Sequence, residues 1–97
     1  MMKEIIIGST QDLKDLPAEI QIENRSYWIL KDGDSFRLVS GRCPHAGATV
    51  ECEDGELVCP MHGWTFDLHT GACLNIPGKG LQPIPVVVRE GTLIAQL

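Results

Sequence analysis

Ser26-Tyr27-Trp28-Ile29-Leu30-Lys31-Asp32-Gly33-Asp34-Ser35-Phe36-Arg37-Leu38-Val39 is the stretch whose reading decides the fold class. Ser26 to Lys31 holds four consecutive large apolar residues, Asp32-Gly33-Asp34 is a strong hairpin signal, and Phe36 to Val39 reads as the returning strand. Toward the N-terminus, Asn24-Arg25 turns the chain, and Ala18 to Glu23 alternates with Ile20 and Ile22 on one face, a half-buried strand. Before it, Lys3 to Ile7 is a short β-branched strand, and Ser9-Thr10-Gln11-Asp12-Leu13 offers capping residues for one helical turn that Pro17 ends. Toward the C-terminus, Asp54-Gly55 turns between Val50 and Leu57-Val58. Trp64 to Leu68 alternates, His69-Thr70-Gly71 turns, and Cys73 to Ile76 returns. Val86 to Arg89, Glu90-Gly91 and Thr92 to Gln96 form one more hairpin. Turns at such short intervals, without sustained helical periodicity, predict an all-β chain: a small antiparallel β-sandwich or barrel. The stretch Pro77 to Pro83 is irregular and, in so short a chain, is expected to cover something rather than to link.

At 97 residues the chain is expected to form one domain, 1–97, with a modest core that a bound metal would help to hold. Its 13 acidic and 8 basic residues give a net charge of −5, which argues against nucleic acid, since phosphate binding needs clustered Lys and Arg. No stretch approaches the apolar length of a membrane span. Ile5-Ile6-Ile7 is too short for a signal-peptide core and no twin-arginine signal is present, so a cytoplasmic location is expected.

The chemistry lies in two short runs, Cys43-Pro44-His45 and Cys59-Pro60-Met61-His62, each continuing into a glycine turn. The hairpin at Asp54-Gly55 can bring the two loops side by side, giving two thiolates and two imidazoles for one metal centre. Mixed ligation in this order suits a Rieske [2Fe–2S] cluster, where neutral imidazoles replace two thiolates and raise the potential. The histidine iron is then expected to take the electron and to face solvent. Gly47 and Gly63 permit tight loops and let backbone N–H groups approach the cluster sulfides, and Pro44 and Pro60 stiffen the loops. A structural zinc site is the competing reading, although zinc fingers pair cysteine with cysteine and histidine with histidine. A cysteine nucleophile beside a histidine is a third, which the duplication of the pattern disfavours. Cys52 and Cys73 lie outside the pattern and read as structural or incidental, free cysteine behaving as a small buried hydrophobe. His69 reads as a solvated side chain on a polar turn.

Cys43-Pro44-His45-Ala46-Gly47-Ala48, Cys59-Pro60-Met61-His62-Gly63-Trp64-Thr65-Phe66-Asp67-Leu68 and Thr70-Gly71 closely resemble Rieske-type ferredoxins and the Rieske domains of ring-hydroxylating oxygenases, along essentially the whole chain. The resemblance implies a Rieske fold whose cluster-binding subdomain spans about 42–77. It implies one [2Fe–2S] cluster, with Cys43 and Cys59 on the inner iron and His45 and His62 on the outer one. It also implies a non-catalytic electron carrier between a flavin-dependent NAD(P)H reductase and a terminal oxygenase, with Trp64, Met61 and the Pro77–Pro83 loop lining the docking face. Small chains of this kind resemble the small subunit of assimilatory nitrite reductase as well, and a zinc-stabilised interaction module is the non-redox alternative. Two departures stand out. Only 13 residues separate His45 from Cys59, slightly fewer than usual in the family. Ala48 and Met61 stand where the respiratory branch carries a disulfide, and Trp64 and Phe66 where it carries serine and tyrosine hydroxyls. Without those donors the midpoint potential is expected near the low end of the Rieske span, about −150 mV rather than +300 mV.

Overall fold

The computed structural model describes residues 3–44, 47–61 and 63–97. The described chain is antiparallel throughout, with ten strands in three small sheets. β1 (Glu4–Ser9), β10 (Thr92–Gln96) and β9 (Val86–Arg89) make the first sheet, in that spatial order. The second runs β2 (Ala18–Ile22), β3 (Arg25–Asp32), β4 (Ser35–Ser40) and β8 (Pro83–Ile84). The third holds the short strands β5 (Glu51–Glu53), β6 (Glu56–Val58) and β7 (Thr65–Phe66).

The apolar run at 27–30 does not alternate because its strand is covered on both faces. Ile29 faces Leu38 across the β3–β4 ladder, and both pack with Ile22, Tyr27, Leu93 and Ala95 between the first two sheets. Trp28 faces Val39 one position away, and with Leu30 these side chains turn to the opposite side. There they meet Cys43, Val50, Leu57, Cys59, Phe66, Cys73 and Leu81 in a second packed cluster. The central sheet is thus the middle of three layers. Strands of two or three residues have little stability alone. The third sheet is instead fixed by its apolar face against Trp28, whose indole N–H also donates to the Val50 carbonyl at 3.2 Å.

Two expected elements come out differently. Ser9 to Leu13 forms a turn and no helix: the Asp12 N–H donates to the Ser9 carbonyl at 3.0 Å and the Gln11 N–H to Ser9 Oγ at 3.2 Å. A side chain that satisfies a nearby N–H serves a tight turn as well as a helix start. Cys73 to Ile76 is not a strand. Cys73 makes one isolated bridge to Phe66, and Asn75 Oδ1 then accepts from both the Thr65 N–H (2.7 Å) and the Thr65 hydroxyl (3.2 Å). This side chain takes the place of a continuing ladder. The 77–83 loop does act as a cover, since Leu81 is buried in the second cluster and its N–H donates to the Gly71 carbonyl at 2.9 Å.

Candidate metal centre

The segment Cys43 to Ala48 leaves the central sheet just after β4, and Cys59 to Trp64 joins β6 to β7. Both are closed by the same pair of backbone hydrogen bonds. The Cys43 N–H donates to the Ala48 carbonyl (2.8 Å), and the Gly47 N–H returns to the Cys43 carbonyl (2.9 Å). In the second loop the Cys59 N–H donates to the Trp64 carbonyl (2.8 Å), and the Gly63 N–H returns to the Cys59 carbonyl (2.8 Å). Gly47 and Gly63 each take φ of 70°, the left-handed region that glycine enters at least cost. The glycines therefore do supply the tight turn. Their own N–H groups are committed to closing the loop rather than aimed at a ligand.

Each loop presents a buried root and a wet tip. Cys43 and Cys59 are 1% and 0% exposed and belong to one packed cluster, whereas Pro44, Gly47, Pro60, Met61 and Gly63 are exposed. All four cysteines are free thiols. Two buried, unbridged thiols on matched loops, meeting in one cluster, are a donor set that suits soft-metal ligation, and a [2Fe–2S] cluster fits it. His45 and His62, the imidazole members of the expected set, lie outside the described residues, as does Ala46. Phe66 is buried beside both cysteines and Trp64 packs against the same cluster; neither position offers a hydroxyl. Ala48 packs there too, while Met61 is 67% exposed.

The structure divides the remaining cysteines. Cys73 is a buried hydrophobe as expected, but Cys52 is exposed, although it pairs with the buried Leu57 and so lies on the same face of the sheet. All three residues of the edge strand β5 are exposed, so the packing that covers Leu57 does not reach it. His69 is exposed, with Nδ1 2.8 Å from the Lys31 carbonyl. The turn expected at His69-Thr70-Gly71 is present, within a loop from Asp67 to Ala72 that repeats the bond pair of the cysteine loops, Asp67 N–H to the Ala72 carbonyl (2.8 Å) and Gly71 N–H to the Asp67 carbonyl (2.9 Å). The signal available in the sequence was glycine four residues after Cys43, Cys59 and Asp67 alike. Within this loop Asp67 Oδ1 accepts from the N–H groups of His69 (2.7 Å) and Thr70 (2.9 Å), which hold its carboxyl below the usual range.

Comparison with known proteins agrees with this geometry. Residues 3–88 match the model of the Rieske [2Fe-2S] domain, and the chain belongs to that family of cluster-binding domains. It is 39% identical over 67 residues to the 3-phenylpropionate/cinnamic acid dioxygenase ferredoxin subunit of Photorhabdus laumondii, covering 64% of this chain and 63% of that one. The ferredoxin of carbazole 1,9a-dioxygenase from Nocardioides aromaticivorans superimposes with a TM-score of 0.66 at 25% identity, over 95% of each chain. A Mycobacterium tuberculosis structure described as an NADH-dependent nitrite reductase small subunit superimposes with a TM-score of 0.67 at 18% identity, over 100% of this chain and 96% of that one, a likeness of fold alone. Against larger curated relatives the chain spans only 12% to 20% of their length. Among the described residues, no helix is long and apolar enough to cross a membrane.

Proposed function

We propose that Cys43, His45, Cys59 and His62 hold the [2Fe–2S] cluster within a cluster-binding subdomain of about 42–77. On this reading the chain is a non-catalytic one-electron carrier between a flavin-dependent NAD(P)H reductase and a terminal oxygenase. The observation that carries this reading is the pair of buried free thiols in one packed cluster, on loops closed by identical backbone bonds. When bound, the group supplies reversible uptake of a single electron. The chain's own residues do the rest. The double closure of each loop fixes its cysteine, which limits rearrangement when charge is added. Burial of Trp28, Val50, Leu57 and Phe66 keeps water from the thiolate side.

Docking is assigned to the wet tips. Met61 is 67% exposed there, and Leu74 (60%) and Ile76 (37%) add exposed apolar surface in the segment after β7. Of the expected docking residues Trp64 is half-buried, and within 77–83 Leu81 is turned into the core. On this reading the site of action is cytoplasmic.

The test is a redox titration of iron-loaded protein, followed by reduction with NADH through a flavoprotein reductase and reoxidation by a terminal oxygenase. A midpoint near −150 mV is expected, at the low end of the roughly −150 to +300 mV Rieske span. A midpoint well above zero contradicts the missing-hydroxyl argument. Stable co-purification with a flavin and sirohaem subunit would mark a permanent subunit instead of a diffusing carrier.

A further inference from the structure

The two cysteine loops share a backbone but not a charge. The residue before Cys43 is Arg42, and the residue before Cys59 is Val58. The Arg42 guanidinium folds back over its own loop. Its Nη2, Nε and Cζ atoms lie 3.0, 3.1 and 3.5 Å from the place a Cβ on Gly47 would occupy, whereas nothing lies within 4 Å of the equivalent place on Gly63. Gly47 takes its φ of 70° and leaves open the space beside which the guanidinium lies. Arg42 is exposed, makes no ion pair among the described residues, and lines an open depression with Ser40, Pro44, Gly80 and Gln82.

Its charge stands alone in sequence as well. Between residues 42 and 77 there is one basic residue, Arg42, against five acidic ones, Glu51, Glu53, Asp54, Glu56 and Asp67. Reduction of the bound group adds one negative charge to surroundings that are already acidic. A fixed cation against the first ligand loop opposes that cost.

We propose that Arg42 is a positioning residue for electron transfer, its guanidinium held on the first cysteine loop to favour the reduced state of the cluster over the oxidised one. The proposal rests on the cluster assignment above, and the experiment separates the two.

Iron and sulfide content and the EPR spectrum of the wild-type protein come first; a wild type that carries no [2Fe–2S] cluster ends the cluster assignment. Midpoints are then compared for loaded wild type, Arg42→Gln, Arg42→Met and Arg42→Lys. The two neutral variants are expected to lower the equilibrium constant for reduction by about three- to tenfold, tenfold being 59 mV for one electron. Arg42→Lys should stay within about twofold of wild type, and the difference should shrink at high salt because the guanidinium is exposed. A loaded neutral variant with the wild-type midpoint overturns the proposal. So does an equal fall in all three variants, which would mark a packing role for the stem. Should both neutral variants fail to load, Gln82→Glu decides. It sets a carboxylate in the same depression without altering the loop, and is expected to lower the midpoint in the same direction; an unchanged midpoint there overturns the proposal equally.

Discussion

A methyl group added at Gly71 would lie 3.1 Å from Val39 Cγ1, 3.6 Å from Leu30 Cδ1 and 3.7 Å from Leu81 Cβ, at a φ of 77°. Gly55 has the same φ of 77° with nothing within 4 Å. The pair separates backbone cost from packing cost. Gly55→Ala is expected to destabilise by about 1–2 kcal/mol through the left-handed conformation alone. Gly71→Ala adds crowding against three apolar side chains, about 1–3 kcal/mol more. Urea midpoints of the iron-loaded variants check this, and equal losses at both positions would contradict the packing described around Gly71. At this scale the sequence was partly legible. Cys43 and Cys59 stood out because each is followed by a proline and then, within three residues, by a histidine. Cys52 and Cys73 could not be told apart, since burial depends on how far the packed cluster reaches, and local sequence does not carry that.

The three loops closed by the same bond pair are the elements on which the site is built. Two carry a cysteine at the root and the third carries Asp67, whose carboxylate braces its own turn. Asp67 is held below its ordinary range mainly by the His69 N–H and next by the Thr70 N–H. Its folded-state value is therefore the lower one. The stabilisation is complete above the unfolded value of about 3.9 and is lost as pH falls through the lowered folded value. Asp67→Ala is expected to cost about 1 kcal/mol at neutral pH, below the usual figure for bonds to a charged group because the carboxylate is half-exposed. The gap between variant and wild type should close as the medium is acidified through the lowered folded-state value. A gap that persists unchanged in acid would contradict the charge-assisted brace. The hairpins at Asp32-Gly33-Asp34 and Glu90-Gly91 were legible because short turns of Gly and Asp or Glu announce themselves. The segment at 73–76 was misread because an asparagine side chain replaces the ladder there, and no periodicity records such a substitution.

Three layers explain how a 97-residue chain positions a metal centre on strands of two and three residues. The central sheet spends one face on the first sheet and the other on the cysteine loops, with Trp28 and Val39 as the floor beneath them. That arrangement turns sulfur inward and leaves the loop tips wet. The all-β class and the two matched cysteine loops were readable from turn chemistry and Cys/His spacing. The layering became readable only once the 27–30 run was seen to be covered on both sides. The central claim is mixed ligation by two thiolates and two imidazoles, and pulsed EPR of the reduced, iron-loaded protein tests it most directly. Two directly coordinated nitrogens are expected, one lost in each of His45→Cys and His62→Cys. A spectrum without coordinated nitrogen, or a colourless protein that binds zinc and no iron, would contradict it.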